Sequence, residues 1–155
     1  MGARMQTRPI VPADRARWFA MRNALWPGKP EEHAAAIDAF FEGRAAFLDA
    51  AFLCEADAVP VGFVELRIRG YAEDSDSARV PYVEGWYVDP AYRRRNVGAL
   101  LMARAEQWAQ ELGYHELGSD CEIDNATSIA AHNALGFEET ARLVCFLKRI
   151  DPRGA

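Results

Sequence analysis

Cysteine is scarce in this chain: Cys54, Cys121 and Cys145 are its only thiols, widely spaced along 155 residues. An odd number at such spacing builds neither a disulfide framework nor a metal-ligand set, so buried free thiols and no metal are expected. No stretch approaches the roughly 20 apolar residues of a membrane span, and the N-terminus lacks the apolar core of a signal peptide. A cytoplasmic protein with no membrane partner is expected. Excess positive charge is missing too, since a formal net charge of −5 argues against general affinity for nucleic acid, whose binders are usually strongly basic. No repeat, linker or low-complexity segment breaks the chain, and 50% of its residues are hydrophobic. That predicts one compact domain over residues 1–155.

The apolar residues fall into two periods. Residues 5–10 read as a first strand, and Asp14 then stands as N-cap of a helix with Trp18, Met21, Arg22 and Leu25 on one face. Pro27 to Pro30 ends it, and a second helix from Glu31 carries Ile37, Phe40 and Phe41 up to Gly43. Strands over 51–55 and 61–69 flank a turn at 56–58. In the second strand Val64, Leu66 and Ile68 alternate with Glu65, Arg67 and Arg69, which predicts one wet face. Residues 70–78 have no apolar rhythm and read as an acidic loop. A strand over 81–88 follows, then a helix over about 97–112 burying Leu100, Leu101, Ala105 and Trp108. A short strand around 116–120, a helix over 126–135 and a last strand over 142–149 complete the order. The succession predicts an α/β (α+β) fold, a mixed sheet with helices on its faces.

Residues 84–101 join an aromatic strand to a basic turn that opens a helix. Arg93, Arg94 and Arg95 sit where the helix dipole is positive, an unfavourable place for cations unless an anion binds there. The turn Arg93-Arg94-Arg95-Asn96-Val97-Gly98 resembles the Q/R-x-x-G-x-G/A loop of the GNAT superfamily of N-acetyltransferases. Asn125, Ser128, His132, Gly136 and Phe137 follow at the spacing of that superfamily's later N-x-x-A/S…Y-x-x-x-G-F motif. The resemblance implies a mostly antiparallel sheet, splayed near its central strand to admit acetyl-CoA. It implies that the backbone N–H groups of Arg94, Arg95, Asn96, Val97, Gly98 and Ala99, with the Arg93 side chain, cradle the pyrophosphate. Trp86, Tyr87 and Val88 would offer strand donors to the acetyl and pantetheine carbonyls, and Asn125 and Ser128 would lie along the cofactor. Asn96 departs from the pattern, which has glycine there; asparagine tolerates positive φ better than other side chains.

Acetyl transfer to an amine needs a neutral nucleophile, a polarised thioester carbonyl and a proton for the departing thiolate. Glu84 is the candidate that takes the proton of a bound ammonium; in an unbroken pleat it shares the face of Trp86, and a β-bulge of the kind the GNAT resemblance implies at this strand would change that count. His132 stands where many GNAT proteins carry a tyrosine proposed as the acid, and a helix-packing histidine is the alternative reading. Segments around Leu25-Trp26-Pro27, Tyr82 to Val88, Gly118-Ser119-Asp120 and Leu135 to Thr140 are similar to the small aminoglycoside 6′-N-acetyltransferases. That similarity implies an acceptor pocket of Trp26, His33, Tyr71, Glu73, Asp74, Glu84 and Asp120, with Asp120 joining the catalytic set, and a homodimer paired through C-terminal strands. The chemistry agrees, because a polycationic amine needs carboxylates and flat surfaces rather than an apolar cavity. Another amine acceptor, and a non-catalytic coenzyme A binding module, stay open.

Overall fold

The computed structural model describes residues 2–154. In chain order the elements are β1 (Met5–Pro9), α1 (Arg15–Leu25), α2 (Pro30–Phe41), β2 (Ala50–Ala56), β3 (Val59–Arg69), β4 (Val80–Val88), α3 (Val97–Glu111), β5 (Gly118–Ser119) and α4 (Ala126–Ala134). The strands lie in sequential order in one sheet, antiparallel from β1 to β4 and parallel between β4 and β5. The chain divides into two units, residues 1–120 and 121–155. The first carries the sheet with α1 to α3, and the second carries α4.

The β2–β3 hairpin closes through Asp57 and Ala58 alone, with φ of 48° and 66°. Positive φ at both central residues gives the turn whose twist matches that of the strands. Alanine gains nothing from that conformation, so Ala58→Gly is expected to stabilise the fold by about 0.5–1 kcal/mol, read as a higher urea midpoint.

Covering helices explain why β3 is not wet on one face. Its residues from Val61 to Leu66 are all buried, Glu65 included. One face, with Phe63, joins Trp18 and Met21 of α1, Ile37 of α2, and Ala51 and Leu53 of β2 in a single cluster. On the other face α3 buries Val97, Leu101, Met102, Ala105 and Ala109. This stripe is rotated from the expected one, and Leu100 and Trp108 are only half-buried. The rotation brings the helix down onto Gly62, where a Cβ would stand 3.1 Å from both Leu101 and Val97 and 2.6 Å from the Tyr87 carbonyl oxygen.

Asp14 precedes α1 but makes no side-chain cap bond. Its carboxylate instead accepts from Val11 N at 2.9 Å and from both Arg8 terminal nitrogens at 2.7 and 2.8 Å, while Arg8 Nε donates to Glu55 at 2.8 Å. Arg8 thereby holds the Asp14 and Glu55 carboxyls below the usual carboxylate range. Folded values below the unfolded ones mean stability that is full above the unfolded pKa of about 4 and is lost as pH falls through the depressed folded values. The urea midpoints of the wild type and Arg8→Ala are therefore expected to differ at neutral pH and to converge in acid.

Two further expectations fail. The expected strand over 142–149 does not form, and Leu143, Val144, Phe146 and Leu147 are exposed. As a strand it would turn Leu143, Cys145 and Leu147 to one side and Val144 and Phe146 to the other, and so would need covering on both faces. Cys54 is buried as expected, but Cys121 and Cys145 are exposed. The short strand expected around 116–120 does form, over Gly118–Ser119.

Candidate active site

The register of β4 on β3 shifts at one point: Glu65 lies opposite Gly85 and Leu66 opposite Val83, so Glu84 is an extra residue in β4. A bulge of this kind switches the side-chain alternation. Trp86 stays opposite Val64 on the α3 side, and its indole donates to Gly98 O at 3.2 Å. Glu84 no longer shares that face. It reaches Arg69, which follows Glu65 and Arg67 on the alternation of β3. The ladder from β4 to β5 pairs only Tyr82 with Gly118 and Val83 with Ser119. Beyond Val83 that edge of β4 has no strand partner among the described residues, and this is the splay expected near the central strand.

The bulge assembles four polar side chains. Arg69 Nε donates to Glu84 Oε1 at 2.7 Å and its Nη2 to Oε2 at 2.8 Å, a two-pronged pair. The guanidinium lies 3.6 Å over the Tyr82 ring, and its Nη2 is 4.0 Å from Asp120. Tyr82 Oη donates to Asp120 Oδ2 at 2.9 Å. Burial first, and the nearby Asp120 second, push the Tyr82 phenol above its ordinary value, so it remains a donor. Gly118 is required here, because a Cβ would stand 2.6 Å from the Tyr82 ring. Glu84 and Asp120, both expected in the site, are thus brought together, while Arg69 and Tyr82 escaped the sequence reading. The alternation of β3 had placed Arg69 on a solvated face; its approach to Glu84 depends on the bulge, which the family resemblance implies for this strand but whose position only the register shows.

The acidic loop is tied down rather than structureless. Ser75 Oγ and Ser77 Oγ donate to one oxygen of Glu116 at 2.8 and 2.6 Å, and these bonds hold the Glu116 carboxyl below the usual range. Ala72 is buried with Val80 and Tyr82. Tyr71, Glu73 and Asp74 stay exposed, Asp74 at φ 63°. The neighbouring Glu73 carboxylate raises the Tyr71 hydroxyl's pKa.

Trp26 is half-buried against the sheet, with its ring so near Gly85 that a Cβ there would lie 2.5 Å away. His33 stacks on it at 6.1 Å and is itself 4% exposed. The His33 Nε2 lies 2.7 Å from the Trp26 carbonyl, which can only accept, so Nε2 carries the proton. Nδ1 then accepts from Arg22 Nε at 3.3 Å. Both ring nitrogens are engaged within the protein, and His33 braces Trp26. Arg22 also pairs with the buried Glu65, which takes a further bond from Trp18 Nε1 at 3.0 Å.

The basic turn takes the conformation expected of it. Asn96 has φ 66° and ψ 7° at the N-cap of α3, and Arg94 has φ 61°. Two left-handed residues curl the backbone so that consecutive N–H groups face one side, a concavity suited to an anion. Arg93, Arg94 and Arg95 are exposed, and the first-turn N–H groups of α3 have no acceptor within the helix. Donor type, curvature and charge fit a pyrophosphate.

In the second unit Asn125 Oδ1 accepts from Ser128 N at 3.0 Å and caps α4. His132 Nδ1 is 2.7 Å from the Ser128 carbonyl, which fixes the proton on Nδ1 in the neutral ring, and the ring meets Phe137 edge-on at 5.2 Å.

The sequence model of the Acetyltransferase (GNAT) family matches residues 18–137. The chain belongs to the GNAT family. The GNAT relatives include an aminoglycoside N(6′)-acetyltransferase type 1 of Klebsiella aerogenes, 43% identical over 91% of this chain and 94% of the relative. One from Stenotrophomonas maltophilia is 37% identical over 94% of each chain. Among solved GNAT structures, AAC(6′)-Iy in complex with the bisubstrate analog CoA-S-monomethyl-acetylneamine superposes with a TM-score of 0.88 at 35% identity. The match covers 96% of this chain and 100% of that one. AAC(6′)-Ih from Acinetobacter baumannii gives 0.86 at 32% identity, over 96% and 100%.

Proposed function

We propose that this GNAT protein transfers the acetyl group of acetyl-CoA to the 6′-amine of aminoglycosides and so confers resistance to them. The observation that carries the reading is the convergence of Glu84 and Asp120, held by Arg69 and Tyr82 beside the point where β4 loses its strand partner. The relatives are named for this activity, and one is solved with an analog joining coenzyme A to an aminoglycoside. The match to the family runs across the boundary between the two units, which supports one acetyltransferase domain.

The roles follow from the chemistry of each group. The N-terminus of α3 and the arginines bind the pyrophosphate, and the β4 backbone at Trp86, Tyr87 and Val88 orients the thioester. Acetyl-CoA supplies the activated acyl group. Asp120 and the exposed Glu73 and Asp74 draw in the polycation, Tyr71 and Trp26 offer flat surfaces, and Glu84 takes a proton from the acceptor ammonium. The freed amine attacks the carbonyl carbon, the C–S bond breaks, and the thiolate collects a proton. The family resemblance gives His132 the role of supplying that proton, and in this chain its Nδ1 is held by the Ser128 carbonyl. His132→Ala is expected to lower kcat about tenfold at unchanged acceptor KM; an unchanged kcat returns the ring to packing against Phe137.

The deciding experiment is a thiol-release assay with acetyl-CoA against aminoglycosides bearing a 6′-amine and others bearing a 6′-hydroxyl. Turnover is expected on the first set alone; equal rates on both sets, or none on either, defeat the proposal. Among the described residues no helix is long and apolar enough to cross a membrane, and we place the protein in the cytoplasm, where acetyl-CoA is available. The exposed apolar segment with Val144 at 77% and Phe146 at 92% exposure supports a homodimer paired through the C-terminal residues. Phe146→Asp is expected to give a monomer in sedimentation velocity where the wild type gives a dimer.

A further inference from the structure

Arg69 occupies the place that an acceptor cation needs. Its guanidinium engages both oxygens of Glu84 and lies between that carboxylate and Asp120, resting on the Tyr82 ring. The side chain is about a third exposed (32%), Glu84 less so at 21%, and Asp120 is open at 69%. The cluster therefore presents one unbalanced carboxylate to the outside and one that is already paired.

We propose that Arg69 is an exchangeable resident cation, displaced from Glu84 by the incoming ammonium, and that this exchange makes it a specificity-determining residue favouring polycations over monoamines. The inference rests on the aminoglycoside reading above. A single ammonium replaces a planar, two-pronged, ring-stacked guanidinium with a point charge and gains nothing in net charge. A polycation brings further ammonium groups for Asp120 and for the exposed Glu73 and Asp74, and these extra pairs offset the cost of moving Arg69. Release is feasible because the pair is partly exposed and the freed guanidinium can be hydrated. Arg69 thus acts on the acceptor through Glu84, setting how much binding energy is needed before Glu84 meets the amine.

The direct test follows the Arg69 Nε–H resonance of ¹⁵N-labelled enzyme saturated with coenzyme A, while a 6′-amine aminoglycoside, spermine or n-butylamine is added. The aminoglycoside and spermine are expected to move the signal to a solvent-exposed position at concentrations where n-butylamine leaves it in place. A signal that stays bonded in the aminoglycoside-saturated complex overturns the exchange. The kinetic arm compares KM for an aminoglycoside with KM for 6-amino-6-deoxyglucose, which carries one amine, in the wild type, Arg69→Gln and Arg69→Lys. Arg69→Gln is expected to lower the monoamine KM roughly fivefold, the value of one partly exposed ion pair, and to narrow the ratio of the two constants. Arg69→Lys should fall between. A ratio that does not change, with both constants raised alike, marks a merely structural role and overturns the proposal. If the enzyme acetylates no aminoglycoside, the functional reading falls; displacement by spermine but not by n-butylamine still supports the exchange.

Discussion

Arg22→Met is expected to destabilise the fold by about 3–5 kcal/mol, the cost of leaving a buried carboxylate without its partner. Glu65 is 3% exposed, and its neighbours apart from Arg22 supply one donor, Trp18 Nε1. Burial pushes its carboxyl above the usual range, with Arg22 and then Trp18 opposing. Without Arg22 the largest opposing influence is gone, and the native state holds a proton more readily than the unfolded chain. Stability of Arg22→Met therefore falls as pH rises from the unfolded pKa of about 4.3 toward the raised folded value, because the native state binds more protons across that window. The guanidinium also lies 5.1 Å over Trp26 and bonds His33, so the variant loosens Trp26 as well. A domain with roughly 5–15 kcal/mol of total stability survives this narrowly, and urea titrations at several pH values read it out. The double variant Arg22→Met, Glu65→Leu is expected to recover most of the loss, since two apolar groups replace an ion pair that stabilised little overall. A single variant within about 1 kcal/mol of the wild type would mean that water reaches Glu65 freely.

Glu84→Gln is expected to lower kcat/KM for a 6′-amine aminoglycoside by about 10²–10³-fold while the KM for acetyl-CoA stays put. Glutamine keeps the shape and can still accept from Arg69, so the bulge survives, but it takes no proton from an ammonium. Asp120→Asn should act differently. Its side chain is 69% exposed and it accepts a hydrogen bond from Tyr82, so the loss should appear as a KM raised by about three- to tenfold with kcat nearly kept. Steady-state kinetics with each substrate varied in turn separate the two. Equal losses in kcat for both variants would move the proton acceptor from Glu84 to the pair acting together, and a raised acetyl-CoA KM would mean that the pocket is assigned to the wrong side of β4.

Much of this was legible in the chain. Periodicity located α1, α2, α3, β2, β3 and β4 to within a few residues because their apolar faces are read locally. The basic turn announced its conformation through chemistry, since asparagine is among the side chains that accept the left-handed region and Asn96 adopts it. What escaped were relations across the sheet. Glu65, Arg67 and Arg69 alternate in sequence like one wet face, yet Glu65 is buried under α1 and Arg69 is drawn to Glu84, because helices cover that face and a single extra residue turns β4 over. His33 reads as a polar residue near a pocket and proves to be a brace for Trp26, since the Trp26 carbonyl and Arg22 claim both its nitrogens.

The sequence by itself determined the class of fold, the anion cradle at Asn96 and the family to which the chain belongs, because these rest on local conformational preference and on motif order. Only the tertiary structure decided that Glu84 faces Arg69 and not Trp86, that Asp120 is reached by Tyr82, and that the apolar C-terminal residues lie uncovered in the single chain. Each depends on strand register and on which surfaces cover which, and a register shift of one residue moves a side chain to the opposite face without changing a letter of the sequence.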